Sequence, residues 1–314
     1  MAKFPGVVVV HKEKGYTSHD VVAILKRLYN EKAGHSGTLD PNATGVLPIF
    51  FGKATKFAES FLSDTKSYVA EVILGVTTTT GDVTGEVLPG SDIEGTHSFG
   101  TRYGESPLAR EVSLGKNLNF SVPEIENVFT SFKGDIMQTP PMYSAIKIGG
   151  KKLYELARKG ETVERKPRLV SIYDIKLLEF RKNSFTIFVD CSKGTYIRSL
   201  CTDIGAKLGC GAIMGDLSRT RSGQFSIDRA LTIDEIKSST DVWSLVTPIE
   251  ELLPYPAAVP KPMALTGVKN GNPVKLENLS YVDTTSPKHW LRADGRTIGL
   301  FSLRKDSLVC EVML

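Results

Sequence analysis

The segment from Gly34 to Pro48 contains the residue types that could do chemistry. It reads Gly-His-Ser-Gly-Thr-Leu-Asp-Pro-Asn-Ala-Thr-Gly-Val-Leu-Pro. Because a proline ring disfavours the helical conformation of the preceding residue, Pro41 holds Asp40 extended, and the flanking glycines permit turns and the close approach of a ligand. A carboxylate held in this way suits a nucleophile or a general acid or base, since positioning supplies much of catalysis. The alternative is that the Asp-Pro pair only begins a turn, which is one of its common uses.

A hydrolytic triad can be excluded. His35, Ser36 and Asp40 are the three residue types of such a triad within six positions. However, the members of a triad come from separate elements of a fold, and the sequence contains no Gly-x-Ser-x-Gly elbow. We therefore reject hydrolysis as the chemistry of this segment.

Two more side chains could act together with a reactive carboxylate. Tyr68 lies on one face of an alternating run from Lys66 to Gly75, where the simpler interpretation is a tyrosine of the core. Arg198 lies one turn into a predicted helix. A buried arginine needs an anionic partner, so Arg198 either pairs with Asp40 or forms a bridge to an acid at the surface.

The distribution of charge is more informative than its sum. The chain carries 39 basic and 35 acidic residues, a net charge of +4. Residues 133–168 contain nine basic and four acidic side chains, whereas residues 77–127 contain three basic and eight acidic ones. A basic stretch suits a polyanionic partner, because phosphate contacts supply most non-specific affinity. A solvated charged face is the alternative.

Composition and cysteine spacing exclude several classes of protein. With 314 residues, of which 41% are hydrophobic and 24% charged, the chain matches a globular protein of about two domains and neither a disordered nor a fibrous one. The four cysteines are Cys191, Cys201, Cys210 and Cys310. None of them forms a Cys-x-x-Cys pair, which argues against zinc-knuckle and thioredoxin sites. Four free thiols predict that the protein resides in a reducing cytoplasm. The apolar run Val7–Val10 is too short for a signal peptide.

The elements that must position these residues alternate between strands and helices. Hydrophobic period, capping boxes and stop residues predict the following order: a strand Gly6–Val10, a helix capped by Thr17 and Asp20, a loop Ala33–Pro48, a strand Lys66–Gly75, a hairpin Thr77–Leu88, an insertion at 90–118, a helix that begins after Ser121 and ends at Gly134, a helix Leu153–Lys159, a hairpin of Leu169–Phe180 and Phe185–Cys191, and a helix Ile197–Leu208. Four prolines within residues 254–262 predict a stiff boundary, and short β-like runs follow it.

Four motifs in this order resemble the TruB family, bacterial synthases of pseudouridine 55 in the T loop of transfer RNA. The 34–48 segment meets every fixed position of the family pattern Gly-His-x-Gly-x-Leu-Asp-Pro-x-Ala-x-Gly-x-Leu. The other motifs are Lys66-Ser67-Tyr68, the run Pro140-Pro141-Met142-Tyr143-Ser144-Ala145-Ile146-Lys147, and the run Gly194-Thr195-Tyr196-Ile197-Arg198-Ser199-Leu200. The resemblance covers about residues 5–252.

This resemblance implies the fold and its domains. The expected fold is α+β, with a mixed, largely antiparallel central sheet flanked by helices (the pseudouridine synthase fold) and a small β-rich C-terminal domain. Residues 1–252 are expected to form the catalytic domain, with an insertion at about 90–118. Residues 255–314 are expected to form a PUA-like RNA-binding domain.

The resemblance also implies a reaction and the residues that carry it out. The target base would be flipped out of its stack, its glycosidic bond cleaved, and its C5 joined to the sugar. Asp40 matches the catalytic aspartate, which attacks the sugar or acts as a base, Arg198 the arginine that pairs with it, and Tyr68 the tyrosine that stacks on the base. Contacts with the substrate are implied for His35, Lys66, Tyr68, Tyr196 and Leu217.

The resemblance implies a partner as well. It is the T stem-loop of transfer RNA, bound by a monomer without a guide RNA, a membrane, a cofactor or a metal. Two other functions stay open. A non-catalytic protein could keep the pocket to hold or fold RNA, although it would not need both Asp40 and Arg198. A modifier of ribosomal RNA that depends on guide RNA could share the same core.

Overall fold

The computed structural model describes residues 4–62, 65–89 and 118–314. Its strands are β1 (Gly6–Lys12), β2 (Ala33–His35), β3 (Thr44–Phe51), β4 (Lys66–Leu74), β5 (Gly134–Gln138), β6 (Lys147–Ile148), β7 (Lys151–Lys152), β8 (Arg168–Phe180), β9 (Ser184–Cys191), β10 (Ala212–Ser222), β11 (Phe225–Ser226), β12 (Thr247–Pro248), β13 (Ala257–Pro260), β14 (Val274–Lys275), β15 (Leu279–Tyr281), β16 (Lys288–Ala293), β17 (Arg296–Arg304) and β18 (Ser307–Met313). Its α-helices are α1 (Ser18–Tyr29), α2 (Ala58–Leu62), α3 (Val122–Thr130), α4 (Leu153–Ala157), α5 (Ile197–Lys207), α6 (Ile233–Ser238), α7 (Ile249–Leu252) and α8 (Leu265–Lys269). Short 3-10 helices occupy Gly52–Phe57, Ile227–Arg229, Val242–Leu245, Pro262–Ala264 and Leu276–Asn278.

Two separate sheets and one small hairpin organise these strands. The first sheet has the order β12-β1-β3-β10-β4-β9-β8-β5, with β2 on β3 and β11 on β10, and the second has the order β14-β18-β17-β16-β13-β15. In the first sheet β3 and β10 run parallel, whereas the other pairs of neighbouring strands run antiparallel. The predicted mixed, largely antiparallel sheet and the β-rich C-terminal part are therefore confirmed.

Local sequence explains why the two helices beside the site form. At α1, the Thr17 hydroxyl accepts a hydrogen bond from the Asp20 N–H (3.0 Å) and the Asp20 carboxylate accepts one from the Thr17 N–H (2.8 Å), so the predicted capping box is present. Helix α5 buries Ile197, Leu200 and Ile204 in the core beside the sheet. Their helical spacing fixes which face of α5 is turned inward.

Several predicted elements differ from those observed. The predicted loop Ala33–Pro48 is shorter, because its ends pair as β2 and β3. In β3 every residue but the first is buried, so the strand lacks the alternation of a half-exposed strand. The predicted helix after Ser121 ends at Thr130, and Gly134 begins β5 instead. Of the predicted insertion at 90–118, residues 90–117 lie outside the described residues.

The proline-rich boundary also contains a strand. Residues Ala257–Pro260 form β13, which pairs with β16 and β15, so residues 254–262 are not only a connection. Trp290 of β16 packs across the junction between the two sheets: its ring centroid lies 5.7 Å from that of Phe57, and its Nε1 donates to the Leu253 carbonyl at 2.7 Å. None of the helices in the described ranges is long and apolar enough to cross a membrane.

Candidate active site

The loop between β2 and β3 carries Asp40, and side chains from two neighbouring elements hold its backbone. Lys12, at the buried end of β1, donates from Nζ to the Pro41 carbonyl at 3.0 Å. The Ser18 hydroxyl, at the start of α1, accepts from the Leu39 N–H at 2.9 Å. These contacts fix the backbone on both sides of Asp40.

Arg219 of β10 also holds the backbone of the loop. Arg219 is 1% exposed and donates from Nε to the Val46 carbonyl (2.9 Å) and from Nη2 to the Gly37 carbonyl (3.0 Å), so one guanidinium joins both ends of the loop. Gly45, at a φ of +104°, pairs with Arg219, and a Cβ at this position would lie 2.2 Å from the Arg219 carbonyl oxygen. Only glycine permits both this conformation and this close approach.

Asp40 and Arg198 form the charged centre of the site. The Arg198 Nε lies 3.0 Å from Asp40 Oδ2, and its Nη2 lies 3.4 Å from Oδ1. Nη2 also donates to the Tyr143 carbonyl at 2.7 Å, and Asp82 Oδ2 lies 3.7 Å from Nε. The Arg198 side chain is 6% exposed, whereas Asp40 keeps 40% of its side-chain surface open. The carboxylate is therefore reachable, while the guanidinium behind it is held on several sides.

The surroundings of Asp40 also change its acidity. Burial raises the pKa of the Asp40 carboxyl, and the neighbouring Asp82 carboxylate raises it further. The cations of Arg198 and Lys12 oppose this effect without cancelling it. When ionised, a carboxylate with a raised pKa is a stronger base or nucleophile than a solvated aspartate.

Tyr68 and Leu217 form an apolar wall beside this centre. Each is 8% exposed, and both belong to the core cluster that includes Leu39 of the loop. Tyr68 lies opposite Arg219 in the pairing of β4 with β10. Burial raises the pKa of the Tyr68 phenol, and the Arg219 cation opposes this effect. The structure thus places these two predicted site residues next to the loop, with little of either surface exposed.

Tyr196 precedes the first residue of α5. Burial raises the pKa of its phenol, while the Ser144 hydroxyl and the Arg198 cation act in the opposite direction. The carboxylate of Asp40 also raises the pKa of the Tyr196 phenol. Tyr196 therefore shares the electrostatic environment of the charged centre.

His35 lies at the end of β2, next to the loop. Its ring centroid is 5.6 Å from that of His19, with the planes 68° apart. Burial, followed by the neighbouring His19 and Arg219, lowers the pKa of His35 to about 4. His35 is thus neutral at physiological pH, and its buried Nδ1 has no hydrogen-bond partner among the described residues.

Lys66 begins β4, two residues before Tyr68. Its side chain is buried, and its backbone pairs with Cys191 on one side and Ser222 on the other. Its charge lowers the pKa of the Cys191 thiol, although burial dominates and raises that pKa to about 12. Lys66 thus lies in the first sheet, at the start of the strand that carries Tyr68.

Three residues of the site escaped the sequence analysis: Lys12, Asp82 and Arg219. Lys12 gave a weak signal as the first lysine after a valine run, and Asp82 as one of two acids in a threonine-rich hairpin. Arg219 gave none, since β10 was not predicted as a strand. Within the described ranges, no group of three or more histidine, cysteine or acidic side chains is placed to hold a metal ion.

Two models of one protein family match most of the chain. The family model "TruB family pseudouridylate synthase (N terminal domain)" matches residues 26–100 and 94–197, and the model "tRNA pseudouridylate synthase B C-terminal domain" matches residues 198–254. The second match covers β10–β12, which belong to the first sheet and not to the second. Both models therefore describe the part of the chain that holds Asp40 and Arg198.

Individual proteins are similar over most of their length. A protein named tRNA pseudouridine synthase B from Alkaliphilus oremlandii is 44% identical over 269 residues, covering 85% of this chain and 82% of that protein. One of the same name from Francisella philomiragia is 47% identical over 233 residues, covering 74% and 70%. A chain in a solved Cbf5-Nop10-Gar1 complex superposes with a TM-score of 0.65 at 26% identity, covering 98% of this chain and 84% of that one. A chain in an H/ACA RNP bound to a substrate RNA has the same fold, with a TM-score of 0.63 at 23% identity.

Proposed function

The chain belongs to the TruB family of pseudouridylate synthases, and from this premise we propose that it isomerises uridine 55 in the T loop of transfer RNA to pseudouridine, with Asp40 as the catalytic carboxylate. Relatives that are 44% and 47% identical carry the name tRNA pseudouridine synthase B, which supports transfer RNA as the substrate. The observation that carries the assignment of Asp40 is its pairing with Arg198, in which only the carboxylate is open to a substrate.

The reaction needs the target base outside its stack. Unstacking costs on the order of a few kcal/mol, which contacts with the flipped base must recover. The ring of Tyr68 offers a stacking surface worth about 1–3 kcal/mol, and Leu217 offers an apolar contact beside it. His35, Tyr196 and Lys66 are proposed to contact the nucleotide around this base.

Asp40 then acts on the flipped nucleotide, either by attack on the sugar or as a base. The bond between N1 and the sugar breaks, the uracil turns, and a bond between C5 and the sugar forms. The proton lost from C5 is balanced by the proton gained at N1, so the product is an isomer of the substrate. Because nothing is oxidised or reduced, the proposed cycle requires no redox partner. Arg198 opposes the rise in the pKa of Asp40, which favours the ionised carboxylate, and fixes the direction of its oxygens.

The assignment of functions to two domains of the chain is also a proposal. Residues 1–252 would form the catalytic domain, with an insertion at about 90–118, and residues 255–314 a PUA-like RNA-binding domain. The change of sheet between β12 and β13 supports this boundary. The enzyme is further proposed to act as a monomer, and its transfer-RNA substrate supports a cytoplasmic location.

A single assay tests this function against its alternatives. The purified protein is incubated with an unmodified transfer-RNA transcript, and the product is mapped by carbodiimide treatment and primer extension. A transcript with cytidine at position 55 is the matched control. We expect one pseudouridine per molecule, at position 55, and none in the control. Binding without product would indicate a non-catalytic RNA-folding protein. Activity that required a guide RNA would contradict the proposal.

A further inference from the structure

The side chain of Gln138, the last residue of β5, forms hydrogen bonds with both backbone groups of Tyr196, the residue that precedes α5. Gln138 is 2% exposed. Its Nε2 donates to the Tyr196 carbonyl at 3.1 Å, and its Oε1 accepts from the Tyr196 N–H at 2.8 Å. A side-chain amide that satisfies the N–H and C=O of the same residue acts like a neighbouring strand. It fixes both the position and the orientation of that peptide.

Tyr196 is the residue from which α5 starts. Its carbonyl accepts the first hydrogen bond of the helix, from the Leu200 N–H at 3.1 Å, and its own side chain makes no capping bond. The start of a helix leaves several backbone N–H groups without partners inside the helix, so outside contacts decide where it begins. For α5, Gln138 supplies such a contact.

Arg198 lies two residues beyond this point, on the first turn of α5. A guanidinium extends roughly 8 Å from the axis of its helix, so a rotation of about 20° at the helix start moves it by about 3 Å. Its Nε lies 3.0 Å from Asp40 Oδ2, and its Nη2 lies 3.4 Å from Oδ1. A displacement of this size would break both contacts.

Two further contacts run between the same pair of segments. The Ser199 hydroxyl donates to the Thr139 carbonyl at 3.0 Å, and Arg198 Nη2 donates to the Tyr143 carbonyl at 2.7 Å. The chain after β5 therefore follows the first turn of α5 and meets it at successive residues. Gln138 is the first of these contacts and the one that holds the backbone itself.

We propose that Gln138 is a positioning residue for the reaction: by bonding to both backbone groups of Tyr196, it fixes the first turn of α5 and thereby the geometry in which Arg198 meets Asp40. This inference rests on the proposed function of Asp40. It differs from a purely structural role, in which Gln138 would only satisfy buried polar groups. A structural role predicts lower stability with an unchanged rate at saturating transfer RNA.

The test compares two substitutions of the same kind in the full-length protein. Gln138→Met keeps the length of the side chain and removes both hydrogen bonds. Gln224→Met is the control, because it also removes an amide-to-carbonyl bond, from Gln224 Nε2 to the Leu252 carbonyl (3.1 Å), in the exposed turn between β10 and β11. Single-turnover rates at saturating transfer-RNA transcript, the dissociation constant of the transcript, and amide hydrogen exchange in peptides that contain residues 196–200 are measured for each.

We expect Gln138→Met to lower the single-turnover rate about tenfold or more, with the dissociation constant within about threefold of wild type, because small displacements of catalytic groups are costly. The amides of Tyr196 and Leu200 should exchange faster, and Gln224→Met should change neither quantity. If Gln138→Met does not fold, Gln138→Glu replaces it, since that side chain can accept from the Tyr196 N–H but not donate to its carbonyl when ionised.

A rate within twofold of wild type, or a loss explained entirely by weaker binding, would overturn the positioning role. Unchanged exchange at residues 196–200 would overturn it as well. The wild-type protein separates this failure from that of the proposed function. If wild type forms no pseudouridine, the proposed function is wrong, and the exchange measurement alone still decides whether Gln138 fixes the start of α5.

Discussion

The guanidinium of Arg198 meets the carboxylate of Asp40 through two nitrogens, at 3.0 and 3.4 Å, although the two residues are 158 positions apart in the chain. Arg198 is almost completely buried, and Asp82 and the Tyr143 carbonyl contact it from other sides. Losing one partner therefore does not leave this cation alone. This arrangement allows the chemical role of Asp40 to be tested separately from its contribution to stability.

Asp40→Asn should abolish pseudouridine formation while RNA still binds. The amide keeps the shape of the side chain but loses its charge and nucleophilicity, so we expect the rate to fall by about 1,000-fold or more. Removing one partner of a buried ion pair can cost about 3–5 kcal/mol. Because Asp82 and Tyr143 remain next to Arg198, we expect a smaller loss here, measured by urea unfolding. Turnover above a small fraction of wild type would show that Asp40 is not the catalytic group.

Two substitutions of Tyr68 distinguish base stacking by its ring from a role of its hydroxyl group. Tyr68→Phe keeps the ring and should keep the RNA affinity of wild type. Tyr68→Leu removes the stacking surface, and because the side chain is 8% exposed in the core, it should also cost about 1–3 kcal/mol of unfolding free energy. Filter binding and urea unfolding measure the two effects. Equal affinity and turnover of wild type and the Leu variant would make Tyr68 only a residue of the core.

His35 should make the stability of the protein depend on pH in the acid range. The folded state lowers its pKa from 6.5 to about 4. Between these values the unfolded chain binds more protons, so the stability contributed by neutral His35 is complete above pH 6.5 and is lost as the pH falls towards 4. At 1.36 kcal/mol for each pKa unit, the loss amounts to about 3 kcal/mol at most.

The measurement compares wild type with His35→Gln in urea at several pH values between 4 and 7. The Gln side chain does not titrate in this range, so the difference in unfolding free energy between the two proteins should change as the pH falls. Parallel curves for the two proteins would contradict the assignment of this titration to His35.

The comparison of sequence with structure shows which signals a chain carries locally. Strand β4 was predicted within one residue, because its sequence places apolar residues at alternate positions on one buried face: Tyr68, Ala70, Val72 and Leu74. Strand β3 was missed because nearly all of it is buried, which erases the alternation. Strand β10 was missed because its pairing with β4 is interrupted by irregularities at Met214/Leu217 and Arg219/Arg221.

The candidate active site also contains residues with a local sequence signal and residues without one. Asp40 and Arg198 were found because each lies in a motif that could be compared with a family, and their contact is now observed. Lys12 and Arg219 act through bonds to backbone carbonyls of the loop. Such bonds depend on how three strands come together in space, so the sequence carries only a weak signal at Lys12 and none at Arg219.

Trp290 should stabilise the junction between the two sheets. Its side chain is 1% exposed and contacts Phe57 and the Leu253 carbonyl. Trp290→Ala should lower the free energy of unfolding by about 3–5 kcal/mol. Trp290→Phe keeps an aromatic ring and loses the hydrogen bond, so its cost should be nearer about 1 kcal/mol. Urea unfolding measures both, and equal small losses would mean that the two sheets are joined by other contacts.

The exposed lysines of the β6–β7 hairpin should bind RNA through its phosphates. Lys147 and Lys151 lie in a segment rich in basic residues, and both are exposed. If each contacts one phosphate, the double substitution Lys147→Gln/Lys151→Gln should weaken binding and lower the slope of log affinity against log salt by about 0.7–0.9 for each contact. Turnover at saturating RNA should change little, because these charges act on the encounter and not on the transition state. Lys176→Gln/Lys237→Gln is the matched control, since these lysines pair with Asp174 and Asp234. An unchanged slope in the first double variant, or an equal change in the control, would place the phosphate contacts on another surface of the enzyme.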